Sequence, residues 1–168
     1  MNISARGIQL IRSSEGFSQI PYLCPAGVPT IGYGTTRYAS GVAVRMSDKP
    51  ITKEQADGIM RSALYSYESA VNHYVRVPLT QGQFDALVSF VYNCGESNFK
   101  ASTLLRMLNA SEYQQAANQF RYWVYAGGRP VRGLMRRRER ERIMFIGAED
   151  NNMSTDAASN QSKDAGHV

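Results

Sequence analysis

The stretch that decides the fold is residues 13–35, SSEGFSQIPYLCPAGVPTIGYGT, because the character of the chain changes inside it. A first helix leads into it, from Ser4 to about Ser13. Past it, Phe17 to Lys49 is rich in Gly, Pro, Thr and Tyr, with Ile20 and Tyr22 followed by the turn formers Pro25, Ala26 and Gly27 and then by Thr30-Ile31-Gly32-Tyr33-Gly34-Thr35. β-branched and aromatic residues around turn formers predict a small hairpin-based lobe. Glu15 falls where the helix gives way to that lobe.

Beyond the lobe the signals are helical. Three segments, Thr52 to Gln55, Thr80 to Gln83 and Ser111 to Gln114, carry Ser or Thr three residues ahead of Gln, the capping-box pattern that satisfies orphan N–H groups. After Thr52, apolar positions from Ala56 to Tyr74 recur at three- and four-residue steps, describing one face of a long helix that Pro78 stops. Phe84 to Tyr92 is apolar nearly all round and predicts a buried central helix ending near Gly95. A short helix is expected around Ser102 to Leu108. Another should run from Ser111 past Val124 until Gly127, Gly128 and Pro130 break it, and a last one after Gly133 through Phe145. The fold class is therefore α+β and mostly helical. A β lobe at about 17–50 and a helical lobe at about 52–148, to which the N-terminal helix 3–13 adds, are joined by a long helix with a cleft between them. Residues 1–148 read as one domain. From 149 to 168 the chain has almost no large apolar groups to offset the entropy of ordering, and a disordered tail is expected.

Bulk properties narrow the function. The 168 residues, 43% hydrophobic, suit a single domain with a real core. No run approaches the ~18 to 20 apolar residues of a membrane span, and Met1 to Phe17 lacks the apolar block of a secretory signal, so a cytoplasmic origin is expected. Cys24 and Cys94 have no metal-like spacing and only His73 and His167 as partners, which argues against a disulfide framework or a zinc site, and nothing in the sequence suggests a metal or organic cofactor. Arg129 to Arg142 holds seven arginines against Glu139 and Glu141, so the whole net charge of +5 sits there. Such a patch suits a polyanion such as a bacterial envelope, or is a solvated helix face laced by Arg–Glu pairs.

A carboxyl at the end of an element, facing a cleft among apolar groups, keeps its proton to higher pH, as a general acid for glycosidic cleavage must. In isolation such a Glu carries little information. Here Glu15 is followed after eight residues by Cys24 and after five more by Thr30, then Ile31-Gly32-Tyr33-Gly34. That order resembles the active-site signature of bacteriophage-type lysozymes, glycoside hydrolase family 24. The resemblance extends to Leu79-Thr80, Gln83, Asp85 to Phe90, Asn93 and Gly95, and to Gly133-Leu134 with Arg137, Arg138 and Glu141.

The resemblance implies a lysozyme-like fold and hydrolysis of the β-1,4 bond between N-acetylmuramic acid and N-acetylglucosamine in peptidoglycan, with Glu15 protonating the glycosidic oxygen. It makes Cys24 and Thr30 the other catalytic positions and maps sugar contacts onto Thr35, Thr36, Tyr92, Leu104 and Gln119. It implies accumulation in the cytoplasm of an infected bacterium, a holin as the permeabilising partner that opens the way to the wall, and lysis of the host. A monomer is expected, and nucleic acid is not assigned as a partner. At Cys24 the chemistry stays open: a thiol is mostly neutral at pH 7, so a base or nucleophile there needs a positive group, an arginine from 136–140 or a helix N-terminus. Otherwise it positions water beside Thr30, or merely packs. An arginine of the same run is also a candidate partner for Glu15. Two other classes compete: a cysteine hydrolase, which needs His73 or His167 as base, and a cationic module that binds envelopes or nucleic acid, which leaves the Glu15 pattern unexplained.

Overall fold

The computed structural model describes residues 1–147, so the tail expected at 149–168 lies outside the described residues. The elements are α1 (Ala5–Glu15), β1 (Ser18–Leu23), β2 (Pro29–Gly32), α2 (Lys53–Tyr74), α3 (Gln81–Cys94), α4 (Glu96–Lys100), α5 (Thr103–Asn109), α6 (Tyr113–Gln119), a 3₁₀ turn (Phe120–Tyr122), β3 (Tyr125–Ala126), β4 (Arg129–Pro130) and α7 (Arg132–Ile146). The fold is α+β and mostly helical, with two small antiparallel sheets, β1 on β2 and β3 on β4.

The core is built around α3, whose residues Phe84 to Val91 are all buried. Phe90 meets the edges of Phe99, Phe120 and Trp123, which ties α4 and the 3₁₀ turn to the central helix. Two glycines allow the close crossings that make this possible. A Cβ at Gly7 of α1 would stand 2.8 Å from Asp85, and one at Gly82 of α3 would stand 2.7 Å from the Met144 carbonyl of α7. Asp85, itself buried, accepts hydrogen bonds from the Ser4 N–H and hydroxyl, so the cap of α1 is stitched to α3. Both α2 and α3 begin in complete capping boxes, at Thr52 with Gln55 and at Thr80 with Gln83. With 22 residues, α2 spans about 33 Å and carries the chain from the β lobe into the helical lobe.

In the β lobe, Tyr22 of β1 pairs with Thr30 of β2 and Leu23 with Pro29, but the register slips between Ser18 and Tyr22. Pro21 lies in that interval and offers no N–H to the ladder. The linking turn is closed by the Cys24 N–H donating to the Val28 carbonyl at 3.0 Å and the Gly27 N–H to Cys24 at 2.8 Å.

Three expectations change. The capping box at Ser111 does not form: Ser111 has φ 62, and α6 starts at Tyr113 without a side-chain cap. The reason lies upstream, where the Ser111 and Glu112 N–H groups close the end of α5 on Leu108 and Met107. A residue wound left-handed to finish one helix cannot hold the extended conformation that begins the next. α6 also stops at Gln119, short of Val124, and α4 and the β3–β4 hairpin were not foreseen. Finally, the Arg-rich helix is not a uniformly solvated face, because Arg137, Arg138 and Glu141 are buried.

Candidate active site

Glu15 is the last residue of α1, and the chain turns away through Gly16, whose N–H still donates to the Arg12 carbonyl at 3.0 Å. The carboxylate is 18% exposed and receives a hydrogen bond from Arg137 Nη1. On its other side lies Gly34 at φ 78, where a Cβ would come within 2.7 Å of Glu15 Oε2. Only a glycine lets the backbone of the β lobe lie against this carboxylate. Three phenols sense its charge: Tyr22 of β1, Tyr67 of α2 and Tyr92 of α3 are each pushed above the ordinary phenol value, first by burial and then by Glu15. A phenolate beside a carboxylate is disfavoured, so these groups stay neutral and form a weakly polar wall.

Cys24 opens the turn between β1 and β2 and is half-buried. Its thiol is held below the ordinary value chiefly by the Val28 N–H, against burial, with help from the Ala26 N–H and the Thr30 hydroxyl. The charge supplied by an arginine, one of the two aids expected, is not what acts here: Arg137 is spent on Glu15 and Glu141, and Arg138 on Cys94 and Asn93. Backbone donors of a tight turn do the work instead. Thr30, 3% exposed, donates its hydroxyl to the Val28 carbonyl at 2.9 Å, which fastens it to the turn that carries the thiol.

A cleft of about 1030 Å³ separates the lobes, with Cys24, Pro25 and Ala26 on one side and Asn93, Trp123 and Tyr125 on the other. Cys24 borders it directly, while Glu15 and Thr30 lie off its lining. Tyr22 joins them, since its hydroxyl feels both Glu15 and Cys24. Cys94 borders the same cleft; burial pushes its thiol up, while Arg138, at 2.9 Å from the sulfur, pulls it down.

The positions mapped for sugar contact scatter. Tyr92 is half-buried and its hydroxyl donates to the Tyr33 carbonyl at 2.6 Å. Thr35 is buried and exchanges both backbone hydrogen bonds with Ile31, whereas Thr36 is exposed. Gln119 is half-buried at the end of α6. Leu104 is corrected: at 0% exposure it is core and has no surface to offer a sugar. Tyr22 and Tyr67 were missed. Both belong to apolar patterns that read as strand and helix, and nothing local marks them as neighbours of Glu15. His73 is exposed in α2 and stacks on Tyr74, in a groove that shares no residue with the cleft at Cys24. His167 lies outside the described residues. Among the described residues no cluster of His, Cys, Asp or Glu could hold a metal ion.

Comparison with known proteins identifies the family. The family model for phage lysozyme matches residues 12–141. The endolysin of Salmonella phage P22 is 42% identical over 146 residues, 87% of this chain and 99% of its own. The endolysin of Bacillus phage B103 is 40% identical over 158 residues, 94% of this chain, although the chain spans only 59% of that relative's length. Among solved structures, an endolysin from the Escherichia coli O157:H7 phage FAHEc1 superposes with a TM-score of 0.79 at 36% identity, covering 87% of this chain and 94% of its own.

Proposed function

The chain belongs to the phage lysozyme family, and from that membership we propose that it is an endolysin, a muramidase that cleaves the β-1,4 bond between N-acetylmuramic acid and N-acetylglucosamine in peptidoglycan and so lyses the host cell. One observation carries the assignment of roles: the Glu15 carboxylate, gripped by Arg137 and pressed on the Gly34 backbone, sits at the junction of the two lobes. Glu15 delivers its proton to the glycosidic oxygen as the bond breaks, and Arg137 fixes which carboxyl oxygen is free to do so. Cys24 is the second group. Its thiol, biased toward thiolate by the turn N–H groups, takes the place of the second carboxylate and accepts a proton from the attacking water, with Thr30 holding the turn in shape.

The test is product analysis on purified peptidoglycan. Glu15→Gln should stay folded and release no new reducing ends; turnover by that variant would remove Glu15 from the mechanism. Cys24→Asp should work better than Cys24→Ser if charge or basicity matters there. An inverted product anomer supports water activation by Cys24, and a retained one assigns covalent attack instead. Release of free amino groups in place of reducing ends would favour a peptide-cleaving cysteine hydrolase.

The exposed arginines Arg129, Arg132, Arg136 and Arg140 are the part of the patch available to an anionic envelope, raising encounter rate in a salt-sensitive way. No described helix is long and apolar enough to cross a membrane. Accumulation in the host cytoplasm, release by a holin and action as a monomer complete the proposal. Cell fractionation before and after permeabilisation tests the first two, and sedimentation the third.

A further inference from the structure

Arg137 does not reach Glu15 alone. Behind it, in the helical lobe, Glu141 is 0% exposed and lies between Arg137 at 5% and Arg138 at 0%. Glu141 Oε1 accepts from Arg137 Nε at 3.2 Å and from the Ser89 hydroxyl at 2.7 Å. Its Oε2 stands 3.1 Å from Arg138 Nε, off the hydrogen-bonding direction, so that contact is one of charge. Arg137 Nη2 donates to the Ser89 carbonyl at 3.2 Å, which leaves Nη1 for Glu15. Arg138 extends the other way, to Cys94 Sγ at 2.9 Å and Asn93 Oδ1 at 2.7 Å, both on the wall of the cleft.

We propose that Glu141 is a positioning residue for the reaction: a carboxylate sealed in the helical lobe that fixes the attitude and balances the charge of the two guanidiniums bracing Glu15 and the cleft wall. The proposal rests on the reading of Glu15 as proton donor. Guanidiniums cannot shed their charge, so burying two of them requires anions within reach. Glu141 and ionised Glu15 are those anions, and the four groups then sum to zero; while Glu15 carries the proton it donates, Glu141 is the one anion among the four. Burial pushes the Glu141 carboxyl up while Arg138, Arg137 and Ser89 pull it down. The other titratable group facing Glu141 is the Cys94 thiol of α3. Facing Glu15 are Arg137 of α7 and the phenols of Tyr22, Tyr67 and Tyr92. Of these only Arg137 is charged, so its balance with Glu141 sets the net charge beside the Glu15 carboxyl.

The experiment is a kcat-against-pH profile of the full chain on purified peptidoglycan, with folding followed by circular dichroism. In Glu141→Gln one positive charge is left uncompensated, the donor carboxyl loses its proton sooner, and the basic limb should move down by about one pH unit. Loosening of Arg137 should lower kcat roughly tenfold with KM within about twofold. Glu141→Asp keeps the charge and should keep the limb within a few tenths of a unit. A limb unmoved in Glu141→Gln, or moved equally in both variants, overturns the proposal. If Glu141→Gln does not fold, Ser89→Ala removes only the hydroxyl that holds Glu141; kcat should fall several-fold with KM little changed, and an unchanged kcat overturns it. An active Glu15→Gln sinks the proton-donor reading, whereas an inactive one beside an unmoved limb in Glu141→Gln sinks only this proposal.

Discussion

Replacing Gly34 by Ala tests whether the β lobe holds the Glu15 carboxylate in place. The added methyl would stand 2.7 Å from Oε2 and 3.1 Å from Cδ, where ordinary contact begins at 3.4 Å. The carboxylate must retreat by about 0.7 Å, and Arg137 opposes that movement from the other side. A misplacement of about 1 Å at a reacting group costs on the order of 10²-fold in rate. The backbone adds its own penalty, since φ +78 costs a residue with a Cβ about 1 to 2 kcal/mol, or about 2 to 8 °C in Tm. Gly41 separates the two effects, because it shares a φ of +84 but its Cβ would meet nothing within 4 Å. Both Ala variants should lose similar Tm by thermal melting, and only Gly34→Ala should lose rate in a reducing-end assay. Equal kcat in the two variants refutes the argument.

Further outcomes follow from burial and charge. Leu104→Ala should cost roughly 2 to 5 kcal/mol in urea unfolding and leave KM within about twofold; a raised KM at unchanged stability would return Leu104 to the substrate. Hydrogen bonds from Arg142 hold Glu139 down to about 2. Its stabilisation is therefore complete above the ordinary value of 4.5 and fades as pH falls from there toward 2. At 41% exposure it is worth under about 1 kcal/mol, so the stability gap between wild type and Glu139→Gln should be small and vanish in acid; a gap that widens in acid contradicts the sign. At pH 7, iodoacetamide should modify Cys24 before Cys94, since donors lower the first thiol and burial raises the second. Mass spectrometry of the alkylated peptides reads the order, and faster labelling of Cys94 would contradict it.

What was legible in the sequence is what local physics decides. Thr52 and Thr80 cap helices because the partner of each, Gln55 or Gln83, is three residues away and nothing competes. Ser111 bears the same pattern and fails because α5 needs it first, which depends on where the previous helix ends. The site divides the same way. Glu15, Cys24 and Thr30 lie within one turn-rich stretch, so their spacing is visible in the chain. Arg137 is 122 positions from Glu15, and the run from Arg136 to Arg140 gives no hint which guanidinium turns inward. Leu104 could be assigned to a sugar only by likeness, since an apolar residue on a short helix looks alike whether it faces a cleft or a core.

The burial of Arg138 and Glu141 makes a final demand on the energetics. Leaving a buried charge without its partner costs about 3 to 5 kcal/mol, whereas replacing a buried pair by apolar groups of similar volume is often neutral or stabilising. Glu141→Leu leaves two guanidiniums for Glu15 alone and should lower Tm by roughly 10 °C. Adding Arg138→Met restores the balance, because Arg137 then faces Glu15 one to one, and the methionine stem can lie on the Phe90 ring that now carries the guanidinium at 5.1 Å. The double variant should recover most of the lost Tm, yet hydrolyse slowly, because Arg137 has lost the carboxylate that steadied it. That combination, stability regained without activity, is what a cluster kept for its chemistry predicts. A double variant as unstable as the single one would mean that the ion pair holds the helical lobe together, and the case for a functional reason to bury it would fall.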